Sequence, residues 1–171
     1  MISQTCAGNA VLVRSGTRGP CLDFGYSSPF YWSDKNNEAD QSKTFLNEDY
    51  CAIEDHDFFV RGVIHLPIIG AAETFRWGVW GSLSRKNFEQ LLKMNDDPKR
   101  VELPRMFSWL STKLPEYTDT LNLKMYAHMQ EPPLRPHFEL ERAEHPLAQE
   151  YRNGIAPMRV KEIMMKRLKK E

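Results

Sequence analysis

His137 and Glu139 lie two residues apart. On a strand that spacing puts both side chains on one face, where an imidazole and a carboxylate can exchange a proton or share a metal. Two polar residues on the wet face of a strand give the same pattern. Arg61 and His65 share a face with Phe59 and Val63 in a second strand pattern. A charge among apolar neighbours must be paired once it is buried. That pair therefore reads as an anion or carboxylate pocket, or as half of a salt bridge. Together with Glu141 these residues define a candidate pocket, in which Arg61 holds an anionic group and a histidine with a carboxylate handles protons. His145 stands before Pro146, an arrangement that fits a helix cap as well as a ligand. Trp77 and Trp80 fall on opposite faces of one strand, so one enters the core. The other, Trp80, either goes under a helix or contributes to a binding surface.

Several chemistries are absent. The sequence has no nucleophile elbow, phosphate-binding glycine loop, dinucleotide fingerprint or His-Glu-x-x-His pair. Its three cysteines, Cys6, Cys21 and Cys51, form neither a disulfide framework nor a Cys-x-x-Cys knuckle. No metal site and no cofactor is expected, and sparse cysteines suit a reducing cytoplasm. Residues 1–20 lack a basic stretch followed by an apolar core, so no secretory signal is expected either. The 171 residues fit one domain, and the 23 basic and 23 acidic side chains cancel. A neutral chain has no bulk electrostatic reason to bind nucleic acid or anionic membrane. No apolar run approaches the roughly 18 residues of a membrane-spanning helix.

The elements that must position these residues are read from periodicity. Residues 1–22 are loop-rich, with a weak edge-strand signal at 10–13, and residues 23–50 show no clear period. Residues 51–54 read as a short strand and 55–57 as a tight turn. Residues 58–69 and 74–83 alternate as two long strands of an antiparallel hairpin, with Phe58, Val60, Gly62, Ile64 and Leu66 on the core face. Ser84 caps a helix to about residue 94, with Phe88, Leu91 and Leu92 inward. Residues 106–114 read as a strand or a short helix, the strand being favoured, and strands follow at 121–129 and around Phe138 and Leu140. Two helices close the chain, the first beginning at Pro146 and stopping at Gly154. The second runs over 157–169 with Val160, Ile163, Met164 and Leu168 inward. This order predicts an α+β fold: an antiparallel sheet with about three helices, two of them C-terminal.

A series of motifs then resembles a known family. It comprises Asp23-Phe24, Pro29-Phe30-Tyr31-Trp32, Phe58-Phe59-Val60-Arg61-Gly62, Leu66-Pro67-Ile68 and Phe75-Arg76-Trp77-Gly78-Val79-Trp80. It continues in Phe107-Ser108-Trp109-Leu110, Leu114-Pro115, Leu121-Asn122-Leu123-Lys124, Arg135-Pro136 and His145-Pro146-Leu147-Ala148-Gln149-Glu150. From about residue 20 onward the chain resembles domain of unknown function 2199, a mainly bacterial family. The resemblance implies Arg61, Trp80, Arg135, Glu141 and His145 as recurring polar or aromatic site positions. Members usually begin with a Cys-x-x-Cys-Gly knuckle that looks like half a zinc ribbon. This chain has Cys6-Ala7-Gly8-Asn9 instead, so the resemblance brings no metal ligand set with it.

The leading functional expectation is a cytoplasmic bacterial protein that binds another macromolecule, a toxin-neutralising immunity protein being one concrete version. An acidic run supports a basic partner: eight carboxylates between Asp34 and Asp57 stand against Lys35 and Lys43. The basic stretch from Arg159 to Glu171 reads as a membrane- or partner-binding helix, or as cations complementing a helix dipole. An enzyme or ligand-binding protein built on the Arg61 pocket, and a metal-binding structural protein, are the alternatives.

Overall fold

The computed structural model describes residues 4–5, 10–12, 22–32 and 40–169. Its strands in chain order are β1 (Gln4–Thr5), β2 (Ala10–Leu12), β3 (Asp23–Tyr26), β4 (Phe45–Leu46) and β5 (Tyr50–Ile53). Then come β6 (Asp57–Pro67), β7 (Thr74–Leu83), β8 (Met106–Trp109), β9 (Lys124–His128) and β10 (His137–Leu140). The described α-helices are α1 (Arg85–Lys93), α2 (Pro146–Asn153) and α3 (Pro157–Leu168).

β6 and β7 pair antiparallel in unbroken register from Phe58↔Leu83 to Pro67↔Thr74, as their alternation predicts. Around this hairpin the sheet order is β1-β2-β3-β7-β6-β10-β9-β8. The sheet is mixed rather than purely antiparallel, because β3 runs parallel to β7 and β10 runs parallel to β6. Alternation reports which face a residue takes but says nothing of strand direction. β3 itself, four residues long, falls in a stretch where no period was visible. One edge of β6 serves two partners: β5 pairs with its first half and β10 meets it at Val63.

The far end of the sheet curls back. Leu110 bridges to Gly81, and the Ser111 amide donates to the Trp80 carbonyl at 2.8 Å. β7, β6, β10, β9 and β8 thereby form a small closed barrel filled by side chains. Two glycines on its inner wall make room for Phe138. A Cβ on Gly62 would lie 2.9 Å from Phe138 Cζ, and one on Gly81 would lie 2.9 Å from the same atom and 2.7 Å from Met125 Cε.

Trp77 and Trp80 are both fully buried, on opposite faces of β7. Trp77 joins the main core with Phe75, Ile64, Leu66, Leu114 and Phe138. Trp80 belongs to a second, smaller core with Cys51, Ile53 and Phe59, covered by Tyr26, Tyr31, Trp32 and Leu46. Its indole N–H donates to the Tyr26 carbonyl at 2.9 Å. Each indole removes roughly 200 Å² from water, about 5 kcal/mol at ~25 cal/mol/Å² before entropy is charged. Trp80 thus holds this second core together beneath Tyr26, Tyr31, Trp32 and Leu46 and does not reach the surface.

The helices follow the sequence with two differences. Ser84 Oγ accepts from the Asn87 amide at 3.2 Å, capping α1, and Phe88 and Leu91 are buried while Leu92 faces out. In α3, Val160 and Ile163 are buried and Met164 packs at the core edge, but Leu168 is 59% exposed. The last turn of α3 is held instead by Arg167, which pairs with Glu116 at 2.6 Å. No helix among the described residues is long and apolar enough to cross a membrane.

Candidate functional site

His137 and Glu139 share a strand face, as their spacing predicts, but they are not each other's partners. β10 presents His137 and Glu139 outward and Phe138 and Leu140 inward. His137 stacks on His128 of β9, ring centroids 4.8 Å apart and 14° from parallel. It also meets His65 of β6 edge-on at 6.3 Å. His128 Nε2 lies 2.5 Å from Glu139 Oε2, so the carboxylate orients that ring and not its sequence neighbour His137. Burial first, then the Arg76 charge, lowers the His65 pKa below its ordinary value. Burial first, then His128, does the same for His137. The two imidazoles line an open cleft of about 550 Å³ with Pro67, Gln130, Tyr151 and Arg152. No three His, Cys, Asp or Glu side chains converge as metal ligands among the described residues.

The pocket of Arg61, His65, His137 and Glu141 is not assembled. Arg61 lines a separate pocket with Asp49, Arg100 and Arg135. Glu141 sits on a third concavity beside Lys124 and Ala148. Alternation correctly put Arg61 and His65 on one strand face, but four residues along a strand span roughly 13 Å. His145 is a helix cap: its Nδ1 accepts from the Leu147 amide at 3.1 Å and its Nε2–H donates to the Thr118 carbonyl at 2.5 Å. Both ring nitrogens are committed, which fixes its tautomer.

The acidic run is largely consumed within the fold. Asp40 caps a short 3-10 turn by accepting from the Ser42 amide at 3.0 Å. Asp49 pairs with Arg135 at 2.7 Å and Asp55 with Arg85 at 2.5 Å. Asp34 and Glu38 lie outside the described residues, as do Cys6 and Cys21. Cys51 is a buried free thiol, pushed up to about 12 by its apolar surroundings. In the C-terminal basic stretch, Arg159 faces Glu150 at 3.6 Å and Arg167 holds Glu116, so two of its cations serve the fold.

A surface that the site reading missed lies on the outside of the barrel. β8 turns Met106 and Ser108 inward and leaves Phe107 39% and Trp109 40% exposed. Their rings meet edge-to-face at 5.0 Å, and Phe107 meets Tyr126 of β9 at 5.8 Å. Arg105 lies over the Tyr126 ring at 3.9 Å and within 3.6 Å of Glu139. Lys124 approaches the Trp109 ring at 5.9 Å. Through Tyr126↔Glu139 and His128↔His137 this aromatic strip runs on into the histidine cleft. The signal was available in Phe107-Ser108-Trp109, where two large aromatics alternate with small or flexible residues.

A family model described as an uncharacterised protein conserved in bacteria, DUF2199, matches residues 16–155. The chain belongs to the DUF2199 family. The match spans most of the fold, from before β3 to the end of α2 and the following bridge at Ile155. For DUF2199 that description names no reaction, so the geometry has to carry the functional argument. No curated protein and no solved structure matches the chain significantly.

Proposed function

We propose that this DUF2199 protein is a protein-binding module whose docking face is the outer surface of β8 and β9. One observation carries the reading: Phe107 and Trp109 stand two-fifths exposed beside Tyr126, ringed by Arg105 and Lys124. Exposed large aromatics lose contact with water only when something covers them, and tryptophan, tyrosine and arginine dominate the energetic centres of protein interfaces.

The chemistry of the partner follows from charge. Arg105 and Lys124 border the face and Arg152 lines the adjoining cleft, against Glu139 and Glu141, and this balance favours an acidic partner with apolar anchors. This reverses the basic partner suggested by the acidic run, in which Asp55, Asp49 and Asp40 are tied to Arg85, Arg135 and a backbone amide. Nucleic acid is disfavoured. Base stacking needs free ring faces, and that of Tyr126 is covered by Arg105. A reducing cytoplasm suits the buried free thiol of Cys51. A toxin is one protein that such a module would neutralise.

The test compares capture by the wild-type chain with capture by Phe107→Ala/Trp109→Ala. The wild type retains one protein at near-equal amount and the double variant loses it. If bacterial extract yields no stoichiometric partner, or if the variant holds the same one, the reading fails.

A further inference from the structure

The pocket around Arg61 shares no lining residue with the aromatic face of β8 and β9 and makes separate demands. Arg61 is only 7% exposed, yet it forms no ion pair among the described residues. Its Nε is buried with no hydrogen-bond partner among the described residues. Its Nη1 reaches only the Glu48 carbonyl, at 3.4 Å, the long limit of such a bond. A buried guanidinium in this state is costly unless an anion completes it.

The walls around it are already committed. Arg100 donates to the carbonyls of Asn95, Gln130 and Leu134, which occupies three of its five N–H groups and holds its charge in place. Arg135 gives its Nε to Asp49 at 2.7 Å. Tyr50 donates to Asn95 Oδ1, and Asn95 in turn donates to Asp96. Three guanidinium groups therefore face two carboxylates, Asp49 and Asp96, around a pocket of about 140 Å³. Burial and the nearby Arg135 charge oppose the charge on Arg61, Asp49 and Glu48 support it, and among the described residues the buried Nε of Arg61 has no acceptor.

We infer that this pocket binds a small oxyanion, a carboxylate or phosphate group, with Arg61 as its principal ligand and Arg135 at its rim. The planar fork of arginine suits either group, because both present two acceptor oxygens side by side. The volume admits a compact anion or the charged end of a larger molecule, not a whole nucleotide.

The experiment titrates the purified chain with inorganic phosphate and, separately, with succinate, against chloride at equal ionic strength. Binding is read by calorimetry and by the shift in melting temperature. Saturable binding of at least one oxyanion is expected. Tighter phosphate binding assigns a phosphorylated ligand, and tighter succinate binding assigns a carboxylic acid. Arg61→Met should weaken binding by about tenfold or more, the loss expected for a charge-assisted contact. It should also raise the melting temperature of the anion-free protein, since it removes a buried unpaired charge. Should that variant not fold, Arg135→Gln, which alters a partly exposed residue, should still weaken binding severalfold. Phe107→Ala/Trp109→Ala should bind the anion as the wild type does, which separates this site from the docking face. No saturable binding of either oxyanion, or unchanged affinity in Arg61→Met and Arg135→Gln, overturns the inference.

Discussion

Single residues decide how tightly the barrel closes and how the histidine cleft responds to acid. Gly81 faces Met125, Phe138 and Ser108, all of them inside the barrel. Gly81→Ala overpacks that interior and should cost about 1–3 kcal/mol in urea unfolding. Gly70→Ala, at a positive-φ turn with open space around it, should cost about 1 kcal/mol from backbone strain alone. The histidines act through linkage. Burial holds His65 and His137 below the ordinary value of 6.5 in the fold. The unfolded chain therefore takes up protons first as pH falls. The stability tied to these rings is complete above 6.5 and is lost as pH drops through the folded values. Melting temperature should fall between about pH 7 and pH 5, and His65→Gln/His137→Gln should flatten that slope. The residue types were legible in the sequence; their partners were not. His137 was paired with Glu139 by spacing, but Glu139 reaches across to His128. A strand face brings together residues of neighbouring strands, and one sequence does not print that register.

At the scale of elements, period two and capping chemistry were enough for the hairpin, α1 and α2. β6 and β7 carry uninterrupted alternation, Ser84 caps α1, and His145, Pro146 and Gly154 bracket α2. β3 and the parallel pairings escaped because a four-residue strand has too few alternations to stand out and because parallel contacts join distant segments. α3 shows how far periodicity misleads near a terminus: Leu168 continues the stripe but faces outward, and the polar Arg167 does the anchoring. Arg167 grips Glu116 through Nε and Nη2 at 2.6 and 3.0 Å, and the Tyr26 hydroxyl at 2.6 Å. It also lies against the rings of Phe24, Tyr26 and Trp77. The Glu116 side chain is 7% exposed. Arg167→Ala therefore strands a buried carboxylate and should cost about 3 kcal/mol. Asp55→Asn, which breaks an exposed pair with Arg85, should cost less than ~1 kcal/mol by the same measurement.

For the whole molecule, zero net charge conceals an uneven distribution. The acidic run tethers the 40–57 segment to Arg85 and Arg135, while cations gather at the β8–β9 face and around Arg61. The acidic run alone pointed the other way, because a sequence lists charges without showing which are already paired. The α+β class and the helix count were readable from element order, whereas barrel closure through Leu110 and Gly81 depends on contacts between segments about thirty residues apart. The central claim is that Phe107 and Trp109 form the docking face, and capture from bacterial extract tests it most directly. Wild-type protein, Phe107→Ala/Trp109→Ala and Asp55→Asn/Asp57→Asn are used as parallel baits, each shown to be folded by its melting curve. One partner held at near-equal amount by the wild type and the aspartate variant, and lost by the aromatic variant, is the predicted result. Loss with the aspartate variant but not with the aromatic one, or no stoichiometric partner for any bait, would contradict it.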